Sequence, residues 1–262
     1  TIMNRYIIIS WILICLSILI IYNIKNFSQE ANSITSSVEK SKNISDKTNS
    51  DTSKIKEEDY RKVVVLTFDD GPDPVNTVKL LDILKENNIS ATFFLVGKSA
   101  EKYPEAVKEI FKDGHEIGNH TFDHKDLKTL SSKDIKNEID KTDRIIQNLI
   151  GRTPKYIRPP YGSVDKEIAN IINRPIINWS VDSEDWKSQN TDMIIQHVLQ
   201  TVYDGSIILF HDTHKETIKA IPYIIRDLIK NGYKIITLNE LLNSPNNNEI
   251  YYGKNDHRAA DN

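Results

Sequence analysis

The stretch Val63-Val64-Val65-Leu66-Thr67-Phe68-Asp69-Asp70-Gly71-Pro72-Asp73-Pro74 decides how the rest of the chain is read. Its opening apolar, β-branched run predicts a buried strand, and the Gly-Pro pair predicts a turn directly after it. Two adjacent carboxylates therefore stand at a strand end. Neighbouring side chains there point in different directions, so Asp69 and Asp70 can face different partners, one a cation and the other a reacting proton. Taken alone, the stretch also fits a plain turn whose acids bond only local amides.

Polar clusters recur at equivalent places downstream. From Arg61 onward, β-rich runs at 63–68, 91–96, 115–118, 156–158, 176–180, 206–210 and 233–237 alternate with amphipathic segments. The clearest helical pattern is 131–149, with Ile135, Ile139, Ile146 and Leu149 on one face, Ser131 and Asp134 as a capping arrangement, and Gly151 just past the end. Pro222 lies inside the pattern 217–230 and predicts a helix start or a kink there. Seven strands alternating with helices imply a parallel α/β arrangement. A distorted, closed or nearly closed (β/α) barrel is more economical than an open sheet for about 180 residues. No Gly-x-Gly-x-x-Gly or P-loop pattern follows a strand, so no nucleotide cofactor is expected.

In a parallel fold the strand ends share one rim, where barrel enzymes keep their active sites. Asp69 and Asp70 follow the first strand, His120 and His124 the third, Arg158 the fourth, the 182–186 segment the fifth and His211 the sixth. One helical turn over His120-Thr121-Phe122-Asp123-His124 would bring two imidazoles to one face. With Asp70 they supply two nitrogens and one oxygen and leave open positions, which suits a hydrolytic zinc site and equally non-haem Fe(II). Asp69 is then the carboxylate left free to act as a base. Arg158, in Arg158-Pro159-Pro160-Tyr161-Gly162, could hold and orient it through a charge-assisted pair. The two prolines stiffen that loop, so the Tyr161 amide could be fixed as an oxyanion donor.

His211 is the candidate for protonating a leaving amine, with Asp182 or Asp185 to support the imidazolium. Trp186 and Leu209 could wall a small apolar pocket for an acyl methyl group. Asp212 reads as a helix cap, His115 and His214 as structural histidines, and Tyr103, Trp179 and Tyr233 as packing aromatics.

Composition sets the outer limits. A chain of 262 residues, 39% hydrophobic and 27% charged, can bury one sizeable core with an extra segment. A net charge of −3 offers no general attraction to nucleic acid. The single cysteine, Cys15, provides neither a disulfide framework nor a cysteine metal site. Residues 6–24 carry no charge and would span about 28 Å as a helix, close to the hydrocarbon thickness of a bilayer. They read as a transmembrane anchor or a signal peptide, and the absence of an Ala-x-Ala site favours the uncleaved anchor. Arg5 before the run predicts that residues 1–5 are a cytoplasmic stub and that the rest is exported. Residues 25–60 read as a flexible linker, 61–242 as the folded domain, and 243–262 as a polar, mobile tail.

Five motifs now stand in order: Thr67-Phe68-Asp69-Asp70, His120-Thr121-Phe122-Asp123-His124, Arg158-Pro159-Pro160-Tyr161-Gly162, Asp182-Ser183-Glu184-Asp185-Trp186 and Leu209-Phe210-His211-Asp212. Across about residues 63–242 the chain resembles the carbohydrate esterase family 4 polysaccharide deacetylases, the NodB homology domain. The resemblance implies a distorted (β/α) barrel, one divalent metal (usually Zn2+, with Co2+, Ni2+, Mn2+ or Fe2+ as alternatives) and hydrolysis of N-acetyl groups from an acetylated aminosugar polymer. It implies that Asp69 is the base, that Asp70, His120 and His124 are metal ligands, and that His211 is the acid. By the same resemblance Arg158 positions the base, Asp185 tunes His211, Tyr161 is the oxyanion donor, and Leu209 with Trp186 forms the acetyl pocket.

Gly71-Pro72-Asp73-Pro74 and the segment 204–209 look most similar to bacterial peptidoglycan N-acetylglucosamine deacetylases. Chitin oligosaccharides, acetylxylan and N-acetylmuramic acid units are the alternative substrates. The expected location is the cell membrane, single-pass with the catalytic domain outside, or secreted if the N-terminal segment is cut. Two rival readings are a non-catalytic glycan-binding wall protein and an iron-dependent oxygenase. Retention of every reactive group speaks against the first, and the acid–base pair flanking the metal speaks against the second.

Overall fold

Strand β1 (Lys62–Asp69) forms where the apolar run predicts it, and from Val64 onward it is buried on both faces. Continuous rather than alternating hydrophobicity marks a strand covered on two sides. The computed structural model describes residues 62–261. After β1 come α1 (Asn76–Glu86), β2 (Thr92–Leu95), α2 (Gly97–Lys102), α3 (Pro104–Lys112), β3 (Glu116–Asn119) and α4 (Ser132–Ile150). Next are α5 (Lys166–Ile172), β4 (Ile176–Ile177), β5 (Val181–Asp182), α6 (Asp185–Ser188), α7 (Thr191–Thr201) and β6 (Ser206–His211). The chain continues through α8 (Lys215–Lys230), β7 (Tyr233–Ile235), α9 (Leu238–Leu242), β8 (Glu249–Tyr251) and β9 (His257–Ala259).

The main sheet runs β3-β2-β1-β6-β5, all parallel, with β7 paired to the start of β1. Ile157 bridges β3 to β4, β4 pairs with β8, and Gly253 bridges back to Ser206 at the foot of β6. The result is a parallel-strand α/β fold with a barrel-like ring. Phe68 stacks on Phe93 and Phe210 at centroid distances of 5.3 and 5.5 Å, tying the three central strands together.

Two of the seven expected strands are reduced. The run 156–158 contributes a single bridging residue, Ile157, because Pro159 and Pro160 bring no N–H donors to extend a ladder. The run 176–180 splits because the chain changes partner within it. Asn178 N–H bonds the Tyr251 carbonyl at 2.8 Å, whereas Ser180 N–H bonds that of Ile207 at 3.1 Å. That switch draws the two edges of the ring together.

The helix read at 131–149 is α4. Ser131 caps it by accepting from Asp134 N–H, and Gly151 ends it in the left-handed region at φ 73°. Helix α8 begins at Lys215 and runs on past Pro222. The tail expectation is corrected. Within 243–262, β8 pairs with β4 and with β9, and Ile250 and Tyr251 are buried. A single run of three apolar residues, Ile250-Tyr251-Tyr252, among polar ones is too short to register as a strand by composition. No helix among the described residues is long and apolar enough to cross a membrane. The stub 1–5, the apolar segment 6–24 and the linker 25–60 lie outside the described residues.

Candidate active site

Strands β1 and β6 run side by side with Asp69 opposite His211 in register. Immediately after β1 the backbone of Asp70 takes φ 77°, a left-handed conformation that sends the second carboxylate in a different direction from the first. Strand β3 delivers His120. The following residues do not form the expected helical turn. Thr121 at φ 64° and His124 at φ 52° reverse the chain instead, and the two imidazoles meet with ring centroids 4.9 Å apart. The amides of residues 121–123 bond side chains rather than the carbonyls a helix would use.

Asp70, His120 and His124 offer three ligand atoms that all lie within 4.8 Å of one another. Asp70 Oδ1 stands 3.2 Å from His124 Nε2 and 3.5 Å from His120 Nε2. His120 Nδ1 donates to the Arg158 carbonyl at 2.6 Å, which leaves Nε2 as the nitrogen facing Asp70. Burial, reinforced by the neighbouring His120, holds His124 below the ordinary histidine range, in the neutral form that ligates. Asp70 Oδ1 is buried and has no hydrogen-bond partner. Burial opposes its ionisation, but the three histidines around it outweigh that and pull its pKa down. Lone pairs on nitrogen and oxygen directed at one small volume fit a divalent cation.

Arg158 is fully buried and completely enclosed by partners. Its Nη1 donates to Asp69 at 2.7 Å and to Thr67 Oγ1 at 2.8 Å. Its Nε and Nη2 donate to the carbonyls of Ile177 and Asn178, both at 2.9 Å, and the guanidinium lies 4.2 Å from the Phe94 ring centroid. A buried charge so fully paired is no surface ion pair.

On the other flank, His211 Nδ1 lies 2.7 Å from Asp185 Oδ1. Asp185 Oδ2 accepts from His211 N–H at 2.8 Å and from Thr217 Oγ1 at 2.7 Å, and Oδ1 also accepts from Trp186 N–H at 2.8 Å. Burial works against a charged imidazole, but the Asp185 hydrogen bond and charge prevail and raise His211 to about 9. The same bonds hold Asp185 below the usual carboxylate range despite its burial. Asp182, the other candidate partner of His211, instead accepts from Glu184 N–H at 2.8 Å and Trp186 Nε1 at 3.4 Å.

Asp69, Asp70, His120, His124, Asp182 and His211 line a cavity of about 400 Å³, with Arg158 and Asp185 buried behind them. Leu209 is buried in its wall and Trp186 is half exposed at its rim. Tyr161, at φ 61°, sets its ring edge-on to His124 at 5.0 Å. Trp179 and His214 also line the cavity, although the sequence reads them as packing and structural residues. Their position on the strand-end rim was the available signal. Asp212 does not cap a helix. It is fully buried, accepts from Thr77 Oγ1, and packs so closely on Gly71 that a Cβ there would collide with its carboxylate. Burial pushes the Asp212 carboxyl up to about 7. An acceptor on one side of a cation site and a protonated imidazole on the other can activate water and protonate a departing group.

A family model for polysaccharide deacetylases matches residues 56–175. A peptidoglycan-N-acetylglucosamine deacetylase of Bacillus cereus is 44% identical over 187 residues, covering 68% of this chain and 68% of the relative. The peptidoglycan-N-acetylglucosamine deacetylase PgdA of Listeria monocytogenes is 42% identical over 180 residues, which is 69% of this chain but 39% of that protein. The chain thus spans about two fifths of the length of the Listeria relative. The solved structure of the peptidoglycan deacetylase PdaC from Bacillus subtilis superposes with a TM-score of 0.67 at 38% identity, covering 68% of this chain and 89% of that one.

Proposed function

This chain belongs to the polysaccharide deacetylase family, and we propose that its folded part hydrolyses N-acetyl groups on the N-acetylglucosamine units of cell-wall peptidoglycan, releasing acetate. One observation carries the reading: Asp69 and His211 stand opposite each other in register, beside the Asp70, His120 and His124 cluster. The substrate class is supported by the names of the Bacillus cereus and Listeria relatives.

Asp70, His120 and His124 would hold the divalent cation, proposed as Zn2+, which when bound supplies Lewis acidity toward water and the amide carbonyl. Asp69, oriented by Arg158, accepts the proton of the attacking water. The Tyr161 N–H, in the loop stiffened by Pro159 and Pro160 at the cavity wall, would stabilise the charge that develops on the carbonyl oxygen. His211, kept protonated by Asp185, gives its Nε2 proton to the leaving amine. Leu209 and Trp186 enclose the acetyl methyl group and exclude solvent from it. The uncharged run 6–24 supports a membrane anchor with this domain on the outer side, where its polymer lies.

The test strips the protein of metal, reloads it with Zn2+, and measures acetate from peptidoglycan, chitopentaose and acetylxylan. Acetate from peptidoglycan, restored by Zn2+ and exceeding that from the other two, is expected. Preferential release from chitopentaose or acetylxylan reassigns the substrate, and no acetate from any of them removes the activity.

A further inference from the structure

Between the two ligand histidines, the chain is held from a helix that carries none of the five motifs. Glu138 on α4 is buried, and its Oε2 accepts from both Phe122 N–H at 3.0 Å and Asp123 N–H at 2.8 Å. One turn further along, α4 holds Asn119 Nδ2 through the Ile139 carbonyl at 3.0 Å and Asp143 Oδ1 at 2.8 Å. Asn119 Oδ1 in turn accepts from Thr121 N–H at 2.8 Å. The carbonyls of Thr121 and Phe122 accept from Gly97 and Lys98 N–H at the start of α2.

Thr121 and His124 both lie in the left-handed region, and non-glycine residues stay there only where their surroundings over-determine them. Glu138 supplies two of those constraints at the positions directly before His124. The helix that carries it is anchored on its own account by Ile135, Ile139 and Ile146 in the core. Losing a group that orients a metal ligand from behind typically costs about 10–100-fold in metal affinity.

We infer that Glu138 is a positioning residue for His124, fixing through two backbone amides where that imidazole stands in the metal cluster. The inference rests on the metal site of the proposed function. Its test reads Zn2+ affinity of the full chain by competition with a chromophoric chelator, without turnover. Glu138→Ala is expected to weaken Zn2+ binding by about 10–100-fold. Glu138→Gln, whose amide oxygen can accept from both N–H groups, should stay within about threefold of the parent. Ile146→Val, a core change on the same helix that touches no loop amide, should also stay within about threefold.

Where Glu138→Ala does not fold, Glu138→Asp replaces it. Its carboxylate is one methylene too short to reach both amides, and it should lose about tenfold. Parent-like affinity in Glu138→Ala or in its Glu138→Asp replacement overturns the inference, as does an equal loss in Ile146→Val. Absence of Zn2+ binding in the parent chain instead overturns the metal reading on which it stands.

Discussion

On the β1 flank of the cavity, Asp69 lies 2.7 Å from a guanidinium that is itself buried and bonded to two backbone carbonyls. On the β6 flank, His211 lies at the same 2.7 Å from a buried carboxylate that also accepts from Thr217 and from two backbone amides. The flanks are electrical opposites built to one plan. Each reactive group is paired with a buried partner of the other sign, and that partner is tied to backbone. The difference teaches which group gives and which takes a proton. The imidazole beside a fixed anion keeps a proton to give, and the carboxylate beside a fixed cation is oriented to accept one.

Breaking the first flank should have the largest effect. Asp69→Asn removes the proton acceptor and keeps the shape, so acetate release is expected to fall by about 10³-fold or more while Zn2+ content by metal analysis stays unchanged. Unaltered turnover would reject Asp69 as the base. His211→Asn tests the second flank, with an expected loss of about 10²–10³-fold, again with metal retained. A loss confined to amide substrates, with activated esters still cleaved, is the signature expected of an acid that serves the leaving amine.

Asp185→Asn sharpens the comparison through pH. The folded-state pKa of His211 is raised to about 9, so the imidazolium is present at neutrality and lost as pH rises through that value. The stability this pair contributes is likewise complete below the ordinary histidine pKa of about 6.5 and fades as pH climbs toward about 9. Without the Asp185 charge, the alkaline limb of the rate profile should move down toward the ordinary value, with about a tenfold loss near neutrality. A limb that stays in place separates Asp185 from His211. The smallest effect is expected at the rim: Trp186→Ala should raise KM by about threefold to tenfold with kcat little changed, because it removes apolar wall and no reacting group.

Much of the site could be read from residue order. Every polar cluster placed at a strand end by turn chemistry does line or support the cavity, from Asp69 and Asp70 to His211. The errors share a cause. The His120–His124 spacing suggested a helical turn, because spacing carries no sign of φ. The positive φ values of Thr121 and His124 depend on Glu138 and Asn119, which are recognisable only once α4 is packed against the loop. Asp212 looked like a cap because it precedes a helix, yet burial against Gly71 and Thr77 decides its role. The strands of 243–262 are hidden because Ile250, Tyr251 and Tyr252 are the only run of large apolar residues in a polar stretch.

By itself, the sequence determined which side chains stand at the ends of strands. Apolar runs, turn residues and helical periodicity are local properties, set by neighbours within a few positions. Tertiary structure alone decided which of those side chains meet. Arg158 reaches Asp69 across 89 residues of chain, and His211 takes Asp185 rather than Asp182 because α6 begins at Asp185, while Asp182 still lies in β5. Such pairings follow from strand register and crossover, and no local preference of the chain encodes them.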